Sequence, residues 1–145
     1  MALIKHIARK ENDIKDVVYS DVKINFDIHP NKKDVTRNFN EEAIKRSVKN
    51  IVLTGRGEKL MNPLFGCDMN SLLFEVMSPS TEEMLKEHIV TAITNFEPRA
   101  KLIGVTVSAL YDMNAYGVTI VFSSINKREP ITLELLINKI GRAHV

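Results

Sequence analysis

Three carboxylates invite acid–base chemistry: Glu58, Glu75 and Glu97. Glycoside hydrolysis generally takes two carboxylates flanking a cleft, one with a raised pKa so that it can protonate the leaving oxygen. None of the three is singled out as that acid. Glu58 lies between Arg56 and Lys59 in a loop, Glu75 falls in a short helical stretch, and Glu97 is two residues from Arg99, whose charge pulls a carboxyl pKa down. The chain has no Trp and few aromatics, a poor stock for a sugar-binding cleft.

Other chemistries fare no better. Cys67 is the lone cysteine, so it forms neither an internal disulfide nor a zinc pair, and Gly66 and Asp68 beside it bring no cation to favour a thiolate. We read it as a small buried apolar group, consistent with a reducing compartment. His6, His29, His88 and His144 are isolated, and no two fall at ligand spacing with a cysteine or carboxylate cluster, so no metal or other cofactor is implied. His88 lies on the apolar face of a predicted helix and reads as a core-edge residue. Gly55 and Gly57 lack the Lys-Ser/Thr ending of a phosphate loop, and Gly55 to Glu58 is too short for a dinucleotide fingerprint.

What remains is a binding surface. Glu97-Pro98-Arg99 breaks a long amphipathic helix immediately before a stretch of strand character. Proline has no N–H and disfavours helical geometry in the residue before it, so Glu97 ends the helix and Arg99 projects from the turn. A carboxylate is unfavourable near the negative end of a helix dipole, so Glu97 gains from pairing with Arg99 or with a partner's donors. A rigid acceptor pair beside a fork of five donors suits a fixed contact with another protein. The plainer alternative is that Arg99 only closes its own turn.

The elements around this corner follow from periodicity. Val22, Ile24, Phe26 and Ile28 alternate with polar residues as a half-buried strand, ended by Pro30 and Asn31. Asn40 is a good N-cap, and Ala43, Ile44, Ser47, Val48, Ile51 and Val52 recur at helical spacing to about Leu53. A loop follows to Gly66, shaped by glycines and Pro63. Asp68 or Asn70 caps a short helix through Leu72, Leu73 and Val76. Ser80 with Glu83 has a capping-box pattern, and Met84, Leu85, His88, Ile89, Ala92, Ile93 and Phe96 form the stripe of a long helix. Ile103, Val105 and Val107 alternate, Asp112 to Gly117 offers a hairpin turn, and Val118, Ile120 and Phe122 alternate back. Ile131 to Ile137 reads as a strand or a short helix, and we favour a strand.

The order of motifs is telling. Thr54-Gly55-Arg56-Gly57-Glu58, Asn62-Pro63-Leu64-Phe65-Gly66-Cys67, Leu73-Phe74-Glu75 and Glu97-Pro98-Arg99 follow one another as they do in the baseplate wedge family of sheath initiators in contractile phage tails, which the chain resembles from about Ala43 to Val107. Members are sometimes labelled lysozyme-like, so a cell-wall glycoside hydrolase of the tail is the alternative function. The resemblance implies a structural virion protein, assembled in the host cytoplasm. It also implies that Glu97, Pro98 and Arg99 anchor on the helical core bundle of the wedge, and that Gly57, Glu58, Pro63, Phe65 and Gly66 shape a loop with Phe65 in the core. It further implies likeness to the strand-exchanging domain of the sheath subunit. A terminal strand carrying Ile131, Leu133 and Leu135 would then leave a sheet edge to receive the first sheath strand. The implied partners are wedge core-bundle proteins and the tail sheath, with tail-tube or hub neighbours as further candidates.

Size and charge agree. A chain of 145 residues, 44% hydrophobic, fits one domain with a real core. Net charge is +2, and the basic residues before Asn50 are mixed with acidic ones, which does not suggest nucleic acid. Met1 to Lys10 does not resemble a signal peptide and no stretch approaches spanning length, so no membrane partner is expected. The predicted class is α+β, a small, mainly antiparallel sheet with two main helices packed on one face. We expect an N-terminal arm over 1–20, with Ile4, Ile7 and Ile14 as a second docking element, and one wedge domain over 21–140. The end from Ile140 matches one reading frame of a common sequencing-library adapter, so 141–145 is a candidate non-native tail and His144 is excluded from any site.

Overall fold

The computed structural model describes residues 19–22, 37–125 and 127–139. The expected arm, apart from Tyr19 and Ser20, most of the strand expected from Val22 to Ile28, and the terminal residues from Ile140 lie outside these. The chain divides into two compact units, 1–44 and 45–145.

In the first unit, β1 (Ser20–Val22) pairs antiparallel with β2 (Arg37–Phe39). Asn40 then turns the chain in the left-handed region at φ 48°, which asparagine tolerates better than most residues. Its Oδ1 accepts the Tyr19 N–H at 3.2 Å, and its carbonyl accepts the Ile44 N–H at 3.2 Å, opening helix α1 (Glu41–Leu53). The helix therefore starts where expected, but on a left-handed residue rather than on the extended backbone usual for an N-cap. Glu41 and Glu42 sit at its positive end.

In the second unit, Val48, Ile51 and Val52 of α1 are buried, and the chain leaves the helix through a loop to α2 (Asn70–Leu73). Neither Asp68 nor Asn70 caps α2. Met69 occupies the N-cap position without a side-chain bond, and the helix stops before the exposed Val76. Helix α3 (Pro79–Phe96) starts two residues earlier than the expected capping box. Ser78 is its cap, accepting the Thr81 N–H at 3.3 Å, and Pro79 takes the first turn, where its missing N–H costs nothing. Leu85, Ile89, Ala92 and Ile93 are buried, and full burial of each larger aliphatic side chain contributes about 1.5–3 kcal/mol. Met84, counted with this stripe in the sequence, is largely exposed.

The sheet has the order β3 (Ala100–Leu110), β4 (Ala115–Ser124), β5 (Lys127–Asn138), antiparallel throughout, so the class is α+β, with three α-helices among the described residues. Tyr116, Val118, Ile120 and Phe122 of the central strand are buried on one face with Val105, Leu133 and Ile137, and α3 packs along β3. The expected alternation Ile103-Val105-Val107 is interrupted: Leu102 pairs with Phe122 and Gly104 with Val121, leaving Ile103 as the extra, exposed residue of a bulge. The hairpin connection is a 3₁₀ turn (Tyr111–Met113) closed by Asn114 at φ 48°, and Gly117 belongs to β4 rather than to the turn. The segment Ile131 to Ile137 is strand, as favoured.

Candidate functional site

The corner between α3 and β3 is a hydrogen-bonded turn. The Glu97 N–H donates to the Ile93 carbonyl (2.9 Å), completing the helix, and the Ala100 N–H donates to the Glu97 carbonyl (3.1 Å), starting the strand. Pro98 is the exposed tip. Glu97 is only 2% exposed, yet charged. Arg99 grips both carboxylate oxygens, Nε to Oε1 at 2.6 Å and Nη2 to Oε2 at 2.7 Å, while the Arg99 N–H reaches Oε1 at 3.4 Å. Burial pushes the Glu97 carboxyl pKa up, but the Arg99 hydrogen bonds, the Ser47 hydroxyl of α1 and the Arg99 charge outweigh it and hold the carboxyl below its ordinary range. Such a group stays ionised and is unsuited to acting as a general acid. Its acceptor pair is spent inside the protein, so the face this corner turns to solvent consists of Pro98 and the Arg99 side chain, 35% exposed.

The loop after α1 is closed twice. The Cys67 N–H donates to the Thr54 carbonyl (2.9 Å), and the Gly57 N–H to the Pro63 carbonyl (2.8 Å). Glu58 turns back so that Oε2 accepts the Gly55 N–H at 2.9 Å. Gly57 and Gly66 both have left-handed φ, at 89° and 107°. Phe65 is half-buried, its ring 5.1 Å from that of Phe96 and capped by the Lys59 ammonium at 4.2 Å. This pinning leaves Leu60 and Met61 almost wholly exposed. Cys67 is buried; burial first, then the Asp68 charge, pushes its thiol up to about 12 against a smaller opposing pull from Arg56. His88 bonds the Asp68 carbonyl through Nδ1.

A half-open hollow of about 280 Å³ lies between this loop and α3, with Arg56, Asp68, His88 and Asn95 among its lining residues. Asp68 is its one carboxylate; Glu58, Glu75 and Glu97 lie outside its lining. Among the described residues no three His, Cys, Asp or Glu side chains gather as a metal site, and no helix is long and apolar enough to cross a membrane.

At the other end of the sheet, β5 has β4 as its one strand partner among the described residues. The Lys139 N–H donates to the Asn114 carbonyl at 3.0 Å, which fixes the ladder's parity. Antiparallel pairs alternate between bonded and non-bonded, so at this register Ile131, Leu133, Leu135 and Ile137 direct their backbone groups to β4, while Thr132, Glu134, Leu136 and Asn138 direct theirs away from it. Pro130 occupies the next outward position, where a residue without an N–H is tolerated. The aliphatic residues singled out in the sequence thus supply side chains to the buried face, and their polar or exposed neighbours supply the edge.

Two contributors escaped the sequence reading. Ser47 falls within the apolar stripe of α1, where a hydroxyl needs a partner, and that need is its signal in the sequence. Glu82, next to the suspected capping residue Glu83, accepts the Ala109 N–H at 3.2 Å across 27 residues of sequence, for which no local pattern exists.

The described residues thus form an α+β domain: a three-stranded antiparallel sheet packed against a helix, with a paired polar corner and, among those residues, no further strand on β5. Residues 39–124 match the family described as baseplate wedge protein gp25. The baseplate wedge protein gp25 of Enterobacteria phage T4 is 36% identical over 114 residues, covering 79% of this chain and 86% of the phage protein. A crystal structure of a Geobacter sulfurreducens protein, named as a candidate tail lysozyme, is 27% identical with a TM-score of 0.64 over 68% of this chain and 89% of that one. The fold recurs in the baseplate of the anti-feeding prophage, at TM-score 0.58 and 17% identity over 84% of this chain and 86% of that one. The chain belongs to the baseplate wedge protein gp25 family. It is a structural component of a contractile-tail baseplate in the virion.

Proposed function

We propose that the protein binds the helical core bundle of the baseplate wedge through the Glu97 to Arg99 corner and seeds the tail sheath at the outer edge of β5. The edge carries the proposal: Thr132, Glu134, Leu136 and Asn138 hold backbone donors and acceptors directed away from β4, bounded by Pro130 at one end. An extended segment added there would complete a fourth strand by main-chain hydrogen bonding. Leu133 and Ile137 lie on the buried face and Glu134 on the exposed one, so the strand that fits best is apolar on one side and basic opposite Glu134. At the corner, buried Glu97 fixes the Arg99 guanidinium, and a prepaid rotamer lowers the entropy lost on docking. In this reading 21–140 act as one wedge domain, with 1–20 as an arm whose Ile4, Ile7 and Ile14 add a docking element, and 141–145 do not contribute.

The name of the Geobacter relative raises cell-wall hydrolysis as the alternative. The ionised, arginine-bound state of Glu97 and the single carboxylate in the hollow argue against it. Co-purification with wedge-bundle and sheath proteins, alongside a peptidoglycan-clearing assay, tests the proposal. Arg99→Lys, which keeps charge but loses the fork, should lose the bundle and keep the sheath; Thr132→Pro, which removes one outward N–H, should do the reverse. Normal binding by both variants, or clearing by the wild type, would sink it.

A further inference from the structure

The two edges of the sheet are treated differently. On β3 the same parity argument turns Val105, Val107 and Ala109 away from β4, because their partners Ile120, Val118 and Tyr116 bond to β5. That edge is not bare. Helix α3 packs along β3, and Glu82, in its first turn, places Oε1 3.2 Å from the Ala109 N–H and accepts its hydrogen bond. The connection explains the meeting: α3 and β3 are joined by the tight Glu97 to Ala100 turn and run back along each other, so the start of the helix comes level with the end of the strand. Glu82 is half-buried there.

A sheet with two open edges is a hazard, since one edge can pair with the opposite edge of another copy, and such a heterologous contact repeats without closing. We propose that Glu82 closes the β3 edge of this sheet so that strands add at β5 alone, and that its carboxylate keeps copies of this chain from polymerising edge to edge. An approaching strand would have to displace the carboxylate from the Ala109 N–H and leave it desolvated without that donor. A β5-to-β5 contact between two copies stops at a dimer, whereas a β5-to-β3 contact does not stop. The inference rests on the open β5 edge of the proposed function and adds the second copy as the occupant that must be excluded.

The full chain is compared by light scattering across a concentration series as wild type, Glu82→Ala and Glu82→Ala/Thr132→Pro, with amide hydrogen exchange read at Ala109 in dilute samples. Glu82→Ala is expected to form species larger than a dimer as concentration rises, to exchange Ala109 at least tenfold faster when dilute, and to return to the wild-type size distribution on adding Thr132→Pro. Unchanged exchange at Ala109 overturns the inference, as does a Glu82→Ala protein no larger than wild type. Large species that persist in the double variant also overturn it, because they are aggregates of a damaged fold rather than β5-to-β3 chains. Sheath seeding is scored separately with Thr132→Pro in the wild-type background, so a chain that seeds no sheath but needs Glu82 to stay small refutes the sheath reading and keeps the latch.

Discussion

The Arg99 side chain holds Glu97 through two hydrogen bonds, 2.6 and 2.7 Å long, across a single proline, and the carboxylate it holds is almost entirely inside the protein. The pair is therefore asymmetric. Removing the arginine strands a buried charge, while neutralising the acid leaves a cation that is partly exposed to water. Breaking a buried pair typically costs about 3–5 kcal/mol, and the partial exposure of Arg99 reduces that, so Arg99→Ala should lose about 2–3 kcal/mol. Glu97→Gln should lose less. Urea midpoints decide: equal losses would mean that Glu97 is not desolvated as its burial implies.

The same pair sets a pH dependence. The Glu97 carboxyl titrates lower in the folded protein than its ordinary value of 4.5, so its contribution is fully present above that pH and is lost as pH falls through the folded value. The stability difference between wild type and Glu97→Gln should therefore be constant above about pH 5.5 and shrink in more acidic buffer. A difference that grows on acidification would reverse the assigned shift.

Much of this corner was legible because its determinants are local. Pro98 fixes where α3 ends, and a charge pair two residues apart needs no tertiary information to be suspected. The hairpin of β3 and β4 was legible in outline from alternation, but the bulge at Ile103 was not, since it depends on the partner strand's register. The terminal strand is legible from the run Ile131 to Ile137, but which of its residues turn their backbone groups outward is not. Alternation identifies Leu133 and Ile137 as buried, whereas which residues offer outward N–H groups follows from the bond between Lys139 and Asn114. Ser78 lost to Ser80 as the expected cap because the capping-box pattern outweighed proline's preference for the first turn.

The loop makes a sharper test of backbone strain. Gly66 and Gly57 both sit in the left-handed region, but a Cβ on Gly66 would overlap the Thr54 carbonyl oxygen, whereas one on Gly57 meets nothing within 4 Å. Gly57→Ala should cost about 1–2 kcal/mol, the left-handed penalty alone. Gly66→Ala adds overpacking against fixed backbone and should cost about 2–5 kcal/mol. Thermal melts of the two variants should rank in that order, and equal shifts would mean that the Cys67 to Thr54 closure yields freely.

Tyr116 carries the least expected polar atom of the core. Its ring is fully buried on β4, and its hydroxyl has no hydrogen-bond partner among the described residues. Burial first, then the charges of Glu82, Tyr111 and Glu75, push its pKa up, so the hydroxyl stays protonated and neutral. A buried hydroxyl with no acceptor costs stability that a hydrogen in its place does not, and Glu82, whose charge acts on this hydroxyl, already accepts the Ala109 N–H. Tyr116→Phe should therefore fold normally and be more stable by about 1 kcal/mol, read as a higher urea midpoint at unchanged slope. A loss of about 1 kcal/mol or more would instead show that the hydroxyl is bonded, with an internal water between it and the Glu82 carboxylate the natural candidate, and would bring Tyr116 into the polar group that closes the β3 edge.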